Sequence, residues 1–434
     1  GGSGNVASGV YSTISGGLGN GATASSSTVV GGSGNDSTNQ YTTCVGGLNN
    51  ATTASYSTVV GGNDNDTSSI NATYSVMVGG NTNRISSTEG TIVGGKSNVV
   101  SNNQATVVGG WQQNAAGTRS VIVGGYDNDA FNSDCVTVGG WQNASNQSYA
   151  TCVGGYGNYP NAQYATVVGG NNNDTTSTNA SYSVMVGGNT NKISATDATI
   201  VGGESNVVSG SQATVVGGSV NTISSTYGSI TGGYSNDIAS GSSFASITGG
   251  YDNHIGTGGA YASIAGGLLN QANSIYSSVP GGLEAKADKY AQVAVASGKF
   301  TNAGDAQKST YIARNITTDD TQTELWLDGS TATQRMDIAT NSTWFFTIRL
   351  AARRTDGGTN ESALYKIEGG IENTADTTQL VGVVAKTIFA ETATPWDVTI
   401  EDISGNNSLI IKVTGESGKT IRWVASVETT EVKN

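Results

Sequence analysis

The sequence has little of what enzymes commonly use for chemistry. Its 434 residues include one histidine, three cysteines and three methionines, and only 12% of the residues are charged. His254 falls in a variable turn and is expected to be a solvated loop residue, so no histidine base is predicted. Cys44, Cys135 and Cys152 occupy positions reserved for small or apolar residues, which predicts buried thiols. We therefore expect no catalytic residue, no metal ion and no cofactor.

Long apolar runs and basic stripes are also lacking. Without a stretch of about 20 apolar residues, no helix is expected to insert into a membrane. The chain has 19 Lys and Arg against 32 Asp and Glu, and residues 1–282 contain only four of the 19: Arg84, Lys96, Arg119 and Lys192. Nucleic acid is therefore not an expected partner, because its recognition depends on clustered basic residues.

Glycine, in contrast, is abundant and periodic. Nineteen Gly-Gly pairs stand in register from Gly1 to Gly281. Fourteen of the eighteen intervals between successive pairs have the same length as the first interval, which runs from Gly1 to Gly16. A short fixed period predicts a solenoid with one coil per repeat. The segment 71–86 recurs almost unchanged at 179–194, and Cys44 matches Cys152 at the same offset, which indicates segmental duplication. Since Gly1 is in register with Gly16, we expect residue 1 to be a truncation, a processing site or the limit of the known chain.

The residues before each Gly-Gly pair have a fixed pattern. Two positions before the pair, 17 of 18 residues are apolar, and the residue directly before it is Val in 13 of 18 coils. Side chains of a strand alternate between its two faces, so the residues two before the pair are expected to fill the coil. The residues one and three before the pair, the latter being Thr, Ser or Val, then make a second apolar face. That face needs a cover, which predicts self-association of identical chains around an axis.

An asparagine marks the turn that follows each pair. It stands four residues after the first glycine in 17 of 19 coils. Asn tolerates the left-handed region and can bond nearby backbone, so we expect left-handed or tight-turn geometry with side chains bonded to backbone in the same or the next coil. Repetition in almost every coil indicates a structural role, and we assign it to Asn50, Asn65, Asn83, Asn98, Asn173 and Asn191.

The repeat register ends at about Gly304. Runs with a period of two residues then predict strands at 309–314, 323–327, 343–354, 362–372, 380–390, 396–402, 408–415 and 421–432. Strands in this number over about 130 residues are typical of an antiparallel β-sandwich. Four tryptophans are expected in its core: Trp326, Trp344, Trp396 and Trp423.

The repeats resemble a known family. YSTVVGGNDN (56–65), YATVVGGNNN (164–173) and SGVYSTISGG (8–17) are similar to the head repeats of trimeric autotransporter adhesins, the hemagglutinin-type repeats, which also occur in viral fibres. The resemblance covers roughly residues 1–303, and the run at 289–307 is similar to the necks that close these heads. GDAQKSTYIAR (304–314), LWLDG (325–329) and IRWVASVETTEV (421–432) resemble the tip domains of phage tail fibres.

This resemblance implies an all-β chain. The segment 1–288 would form a trimeric left-handed parallel β-roll with about 15 residues per coil, 289–307 a neck or connector, and 308–434 a C-terminal antiparallel β-sandwich tip domain. Such heads trimerise through their inner strands, which implies a homotrimer. We assign the trimer core to Val59, Val107, Val167 and Val215.

The expected function is attachment. The features above predict a structural, non-enzymatic fibre, namely a viral (phage) tail or surface fibre on the virion that binds a host cell-surface receptor. A bacterial cell-surface trimeric adhesin is the alternative. A tailspike-type glycan hydrolase is less favoured because acidic residues are few and scattered among turns. An ice-binding solenoid is less favoured because valines interrupt the threonine column.

Two surfaces compete for the receptor. The tip carries more charge and more varied loops, and we expect it to face the host. The other surface is an aromatic column, defined as Trp111, Tyr126, Trp141 and Tyr156, which stand two residues after the first glycine in four successive coils. Exposed aromatic rings suit a glycan, although stacked rings also stabilise β-solenoids without any ligand.

Overall fold

The computed structural model describes residues 1–176, 178–329, 333–358, 360–392, 395–403, 405 and 407–434. The chain divides into two compact units, Gly1–Gln212 and Ala213–Asn434. Every helix or strand found among the described residues is a strand, which confirms the all-β prediction. None of these residues belongs to a helix long and apolar enough to cross a membrane.

The first unit contains short strands only. They are β1 (Val6–Ala7), β2 (Thr13–Ile14), β3 (Gly21–Ala22), β4 (Thr28–Val29), β5 (Asp36–Ser37), β6 (Thr43–Val45), β7 (Ala51–Thr52), β8 (Thr58–Val60), β9 (Asp66–Thr67), β10 (Val76–Val78), β11 (Arg84–Ile85), β12 (Thr91–Val93), β13 (Val99–Val100), β14 (Thr106–Val108), β15 (Asn114–Ala115), β16 (Val121–Val123), β17 (Asp129–Ala130), β18 (Val136–Val138), β19 (Ala144–Ser145), β20 (Thr151–Val153), β21 (Thr166–Val168), β22 (Asp174–Thr175), β23 (Val184–Val186), β24 (Lys192–Ile193), β25 (Thr199–Val201) and β26 (Val207–Val208).

Each coil of the first unit contributes to two parallel sheets. One sheet consists of the strands that lead into the Gly-Gly pairs, and they pair in register from coil to coil, as β8 does with β10. The other strands begin five residues after the first glycine, as in the pairing of β13 with β15. Neighbouring coils repeat their contacts at the Gly-Gly interval, as in the bond that joins Asn50 to Asn35, which confirms the predicted solenoid.

The structure corrects the trimer-core assignment for all four residues: Val59, Val107, Val167 and Val215. Their side chains are 0% exposed within their own chain, so they fill the coil interior and cannot contact a partner. The outward valines come one residue later, and Val60, Val108 and Val168 are 37–40% exposed. The residues one and two positions before the pair are both apolar in the sequence, and the prediction placed the inward residue, not the outward one, in the trimer contact.

The turn asparagines form a ladder of buried amides. The backbone N–H of Asn50 donates to Oδ1 of Asn35 (3.0 Å), and that of Asn65 donates to Oδ1 of Asn50 (3.1 Å). The Nδ2 of Asn50 also donates to the carbonyl oxygens of Gly46 in its own coil (3.2 Å) and of Gly62 in the next (3.1 Å). Asn50 and Asn65 therefore each link their turn to both neighbouring coils.

The left-handed conformation lies one residue before the ladder, which corrects its predicted position. Asp64 has a φ of 52° and Asn172 a φ of 50°, each directly preceding a ladder asparagine. A second left-handed residue stands five before each pair, where Tyr56 has a φ of 60° and Tyr74 a φ of 62°. Each such coil therefore has two left-handed turn residues, one directly before the ladder asparagine and one five residues before the Gly-Gly pair.

The second unit begins with further coils and ends with long strands. Its strands are β27 (Thr214–Val215), β28 (Thr222–Ile223), β29 (Ser229–Ile230), β30 (Asp237–Ile238), β31 (Ser246–Ile247), β32 (His254–Ile255), β33 (Ser263–Ile264), β34 (Gln271–Ala272), β35 (Ser278–Val279), β36 (Gly282–Leu283), β37 (Lys286–Ala287), β38 (Val293–Ser297), β39 (Ala306–Thr317), β40 (Thr323–Glu324), β41 (Met336–Asp337), β42 (Ser342–Arg354), β43 (Ser362–Thr374), β44 (Thr377–Glu391), β45 (Asp397–Ile403), β46 (Ser408–Thr414) and β47 (Ile421–Lys433). His254 thus lies in a strand, not in a turn, and its Nδ1 is 2.8 Å from a carboxylate oxygen of Asp237 in the preceding coil.

The C-terminal strands form an antiparallel sheet region, as predicted. Strands β38, β39, β47, β42, β43 and β44 are neighbours in this order, and β46 pairs with β40, β41 and β45 in a smaller sheet. Side chains from both sheets share one buried core. Trp344, Trp396 and Trp423 belong to it, whereas Trp326 is only half-buried, with the Arg335 guanidinium 4.1 Å from its ring centroid.

Candidate glycan-binding column

The aromatic column lies at the corner that follows the Gly-Gly pair. Each of its residues forms a parallel β-bridge with the corresponding residue of the next coil, so the four side chains leave the chain at equivalent points. Trp111 is 46% exposed, Trp141 51% and Tyr156 40%, while Tyr126 is half-buried between them. The four residues therefore make one continuous surface of the first unit.

The rings of the column meet edge to face. The centroids of Trp111 and Tyr126 are 4.8 Å apart, those of Tyr126 and Trp141 5.9 Å, and those of Trp141 and Tyr156 5.0 Å. The angles between successive ring planes are 77°, 75° and 65°. Aromatic pairs favour such arrangements because the positive ring edge meets the negative ring face.

The fold does not require aromatic residues at this position. In the first four coils of the chain, which correspond to the column coils in the duplicated register, the equivalent positions hold Ser3, Leu18, Ser33 and Leu48. These residues form the same parallel bridges from coil to coil. The backbone therefore takes the same path with small, aliphatic or aromatic side chains at this position.

Polar side chains that the sequence did not single out flank the column. Gln112, Asp127 and Gln142 occupy the left-handed corner directly after the aromatic residue, with φ of 54–58°. The side-chain amide of Gln142 donates to a carboxylate oxygen of Asp127 at 3.2 Å. In the coil before Trp111, the Lys96 ammonium lies 5.0 Å from the Trp111 ring centroid, a cation–π contact.

Gln113 interrupts the asparagine ladder next to the column. Its Nε2 donates to the carbonyl oxygens of Trp111 and Gly125, both at 2.8 Å. Its Oε1 is buried without a hydrogen-bond partner. The longer side chain thus bonds the backbone of the first column residue at the expense of one unsatisfied acceptor. The departure from Asn was visible in the sequence, but its contact with Trp111 was not.

The buried thiols offer no reactive group. Burial raises the pKa of Cys44 and that of Cys152 to about 12, and it also raises the pKa of Cys135. All three thiols therefore stay protonated at neutral pH, whereas a nucleophilic cysteine needs a lowered pKa.

The C-terminal antiparallel sheet region has a competing surface. A shallow apolar groove on the large sheet is lined by Leu364, Phe389 and Val424, with Arg349 and Lys366 at its rim. Phe389 is 68% exposed.

Comparison with solved structures returns phage tailspike proteins. The chain is similar to a tailspike protein of Acinetobacter baumannii bacteriophage Fri1, described as a capsular polysaccharide depolymerase, with 7% identity, a TM-score of 0.23 and coverage of 91% of this chain and 81% of that one. It is also similar to the tailspike of Acinetobacter baumannii phage AM24, with 9% identity, a TM-score of 0.19 and coverage of 91% and 73%. The tailspike of Acinetobacter phage vB_ApiP_P1 is similar with 9% identity, a TM-score of 0.21 and coverage of 91% of this chain and 82% of that one.

No protein-family model and no curated protein matches the sequence. The prediction that the chain is not an enzyme is contradicted by the Fri1 tailspike, a depolymerase, and it is withdrawn. Identities of 7–9% and TM-scores of 0.19–0.23 carry no catalytic residue over to this chain.

Proposed function

We propose that the chain is a tail-fibre-like attachment protein of a virion and that its aromatic column binds a polysaccharide of the host surface. The observation that carries this proposal is a row of exposed aromatic rings in four successive coils, at a position where the same fold elsewhere takes Ser and Leu. Pyranose rings pack their C–H groups on the negative faces of aromatic rings, and such contacts form readily at an exposed Trp or Tyr.

Self-association into a homotrimer is part of the proposal. In the first unit, the outward residues one and three positions before each pair form what we term the Thr/Val face, and none of them is charged. The outward positions of the other sheet carry the charges, with Asp36, Asp66, Arg84, Asp129, Asp174 and Lys192. A long uncharged β-branched face favours burial against other copies, and three copies match the adhesin heads that the repeats resemble.

The glycan part is tested by replacing the two largest rings. The double variant Trp111→Ala, Trp141→Ala should lose binding to host cells or to their purified surface polysaccharide. The matched control is Leu18→Ala, Leu48→Ala, which removes exposed side chains from the same structural position in earlier coils. Equal binding by both variants would exclude the column as the site. Chromatography of the polysaccharide after incubation reports whether it has been cleaved.

The tip is a second candidate surface, favoured by its exposed Phe389 and the groove beside it. Phe389→Ser tests it, because removing the ring from the groove should weaken attachment if the receptor binds there. Retained attachment in this variant, together with loss in the double tryptophan variant, would assign recognition to the column and against the tip.

A further inference from the structure

The first unit contains two kinds of aromatic row, and they differ in ring orientation. Five residues before the pairs, Tyr41 and Tyr56 stack with 8° between their planes, and Tyr149 and Tyr164 stack with 6°. In such parallel stacks, each ring covers the face of its neighbour. The planes of the aromatic column instead cross at 65–77°, so a neighbour meets a ring face only with an edge. Apart from the Trp111 face that Lys96 covers, the column rings are therefore not stacked face to face, which leaves ring surface for a ligand.

The spacing of the column matches a linear polymer. Its centroids follow one another at 4.8–5.9 Å along the direction in which the coils stack, close to the roughly 5 Å between neighbouring strands. This distance is comparable to the length of one pyranose residue in an extended glycan. The four rings thus provide about one contact per sugar, by ring face or by ring edge, over four consecutive sugars.

The glycine pairs leave room beside the rings. On the side of the column that leads back to the Thr/Val face, each coil presents the first glycine of its pair, for example Gly124 and Gly139, at which an added Cβ would meet no atom within 4 Å. A polymer that enters at one coil and leaves at another meets no side chain on this strip. The surface therefore suits an interior segment of a chain and has no wall that would select a chain end.

The charges near the column indicate a neutral ligand. Lys96 lies over Trp111 at one end, and the carboxylate of Asp127 accepts a hydrogen bond from Gln142 near the middle. One cation against the carboxyl groups of Asp127 and the neighbouring Asp129 gives no excess of positive charge for uronic or sialic acids, which are usually held by arginine or lysine clusters. The amides of Gln112 and Gln142 offer donors and acceptors that suit hydroxyl groups.

We propose that the aromatic column binds an interior stretch of a linear, neutral polysaccharide that lies along the coil-stacking direction, with about one sugar per coil. This inference rests on the proposed glycan-binding function. It predicts that affinity rises with the number of sugars up to about four and then levels off, because a fifth sugar passes beyond the last ring.

The test uses the full chain and an array of linear neutral and anionic oligosaccharides of graded length, with titrations followed by tryptophan fluorescence. For neutral ligands we expect affinity to increase about fivefold per added sugar up to about four sugars. Binding should be nearly independent of salt, since no charges pair. Trp141→Ala, which removes an inner ring, should abolish the gain from the third and fourth sugars, whereas Leu48→Ala should leave the length series unchanged.

The outcomes separate this inference from the function on which it depends. Tryptophan-dependent binding of anionic ligands only, or binding that does not increase with length, would overturn the neutral-polymer inference and leave glycan attachment standing. Absence of binding to any ligand, with host-cell attachment unchanged in the double tryptophan variant, would overturn both.

Discussion

The two glycines of each pair meet different surroundings, as Gly61 and Gly62 illustrate. Both have positive φ, +69° and +89°. A Cβ on Gly61 would have no atom within 4 Å, whereas a Cβ on Gly62 would lie 2.2 Å from Nδ2 of Asn65 and 2.5 Å from the carbonyl oxygen of Gly80 in the next coil. Only the second glycine is therefore needed for close contact between coils.

Gly61→Ala should thus lower the free energy of unfolding by only about 1–2 kcal/mol, the cost of a left-handed Ala. Gly62→Ala should cost about 3 kcal/mol or more, because it adds a clash with backbone and with the ladder amide. Denaturant unfolding of the two variants measures the difference. Equal costs would show that the pair is required for its φ angles alone.

Gln113 gives a second prediction at the scale of a residue. Gln113→Asn should stabilise the chain by about 1 kcal/mol, since it restores the side chain used in the neighbouring coils and removes a buried acceptor without a partner. Gln113→Ala, which deletes the bonds to the Trp111 and Gly125 carbonyl oxygens, should destabilise it. A lower stability of the Asn variant in denaturant unfolding would contradict this account.

Among the elements, the two sheets of the first unit differ in how they carry charge. In the sheet whose strands begin five residues after the first glycine, burial raises the pKa of Asp66, Asp129 and Asp174. A raised carboxyl pKa means that the folded state binds the proton more tightly than the unfolded state does. The protonated carboxyl group therefore stabilises the fold at low pH, and this stabilisation is lost as pH rises through the folded pKa.

Asp129→Asn tests this at β17. The carboxyl of Asp129 has a raised pKa because of burial and because of repulsion from Asp127, while the Asn114 side chain opposes the shift by a hydrogen bond. We expect the variant to unfold at a higher temperature than the wild type at pH 7, by no more than a few degrees. The difference should disappear below pH 4, where the wild-type carboxyl is also protonated. A constant difference at all pH values would exclude titration as the cause.

The strands were largely predictable, and the corners were not. The Gly-Gly period and the apolar alternation define the coil, and all eight C-terminal runs contain strands at or near their predicted positions. The left-handed residue before each ladder asparagine escaped prediction because its type varies, from Asp64 and Thr82 to Gln142. Side-chain chemistry gives no signal there, since the surrounding turn imposes the conformation.

The candidate site was predictable in position only. The repeat register aligns Trp111 with Tyr156 without any structure. Ring orientation depends on packing against the next coil. The contact of Lys96 with the Trp111 ring joins two coils, and the bond from Gln113 to the Trp111 carbonyl oxygen follows from the length of the Gln side chain. Such details arise after the backbone is fixed, so residue spacing could not reveal them.

At the scale of the whole molecule, the Thr/Val face leads to a prediction about assembly. Val168→Asp places a charge on that face and should shift the proposed trimer toward monomers, because an unpaired buried charge costs several kcal/mol. Val99→Asp is the matched control, since it adds the same charge to the other sheet, beside Arg84. Light scattering gives the mass and circular dichroism reports the fold. A trimeric Val168→Asp variant would exclude this face as the interface.

The response of the assembly to salt follows from the same face. Because the face contains no charged residue in the first unit, association there cannot depend on ion pairs. We expect the trimer to persist, or to become more stable, when NaCl is raised to about 1 M, since salt screens charges but does not weaken apolar burial. Dissociation at high salt would indicate an interface elsewhere, held by charged side chains.

The asparagine ladder also bears on how such a chain changes over generations. In each ladder coil the asparagine N–H donates to the Oδ1 of the preceding coil, and its own Oδ1 accepts from the N–H of the following coil. An added block of coils therefore joins the chain through hydrogen bonds of the kind already present. The offset between the two copies of the duplicated segment equals a whole number of coils, seven from Gly79 to Gly187. Unequal recombination between repeats can therefore insert or remove coils without inventing a new junction, and coil number becomes a trait that selection can adjust while the fold is inherited intact.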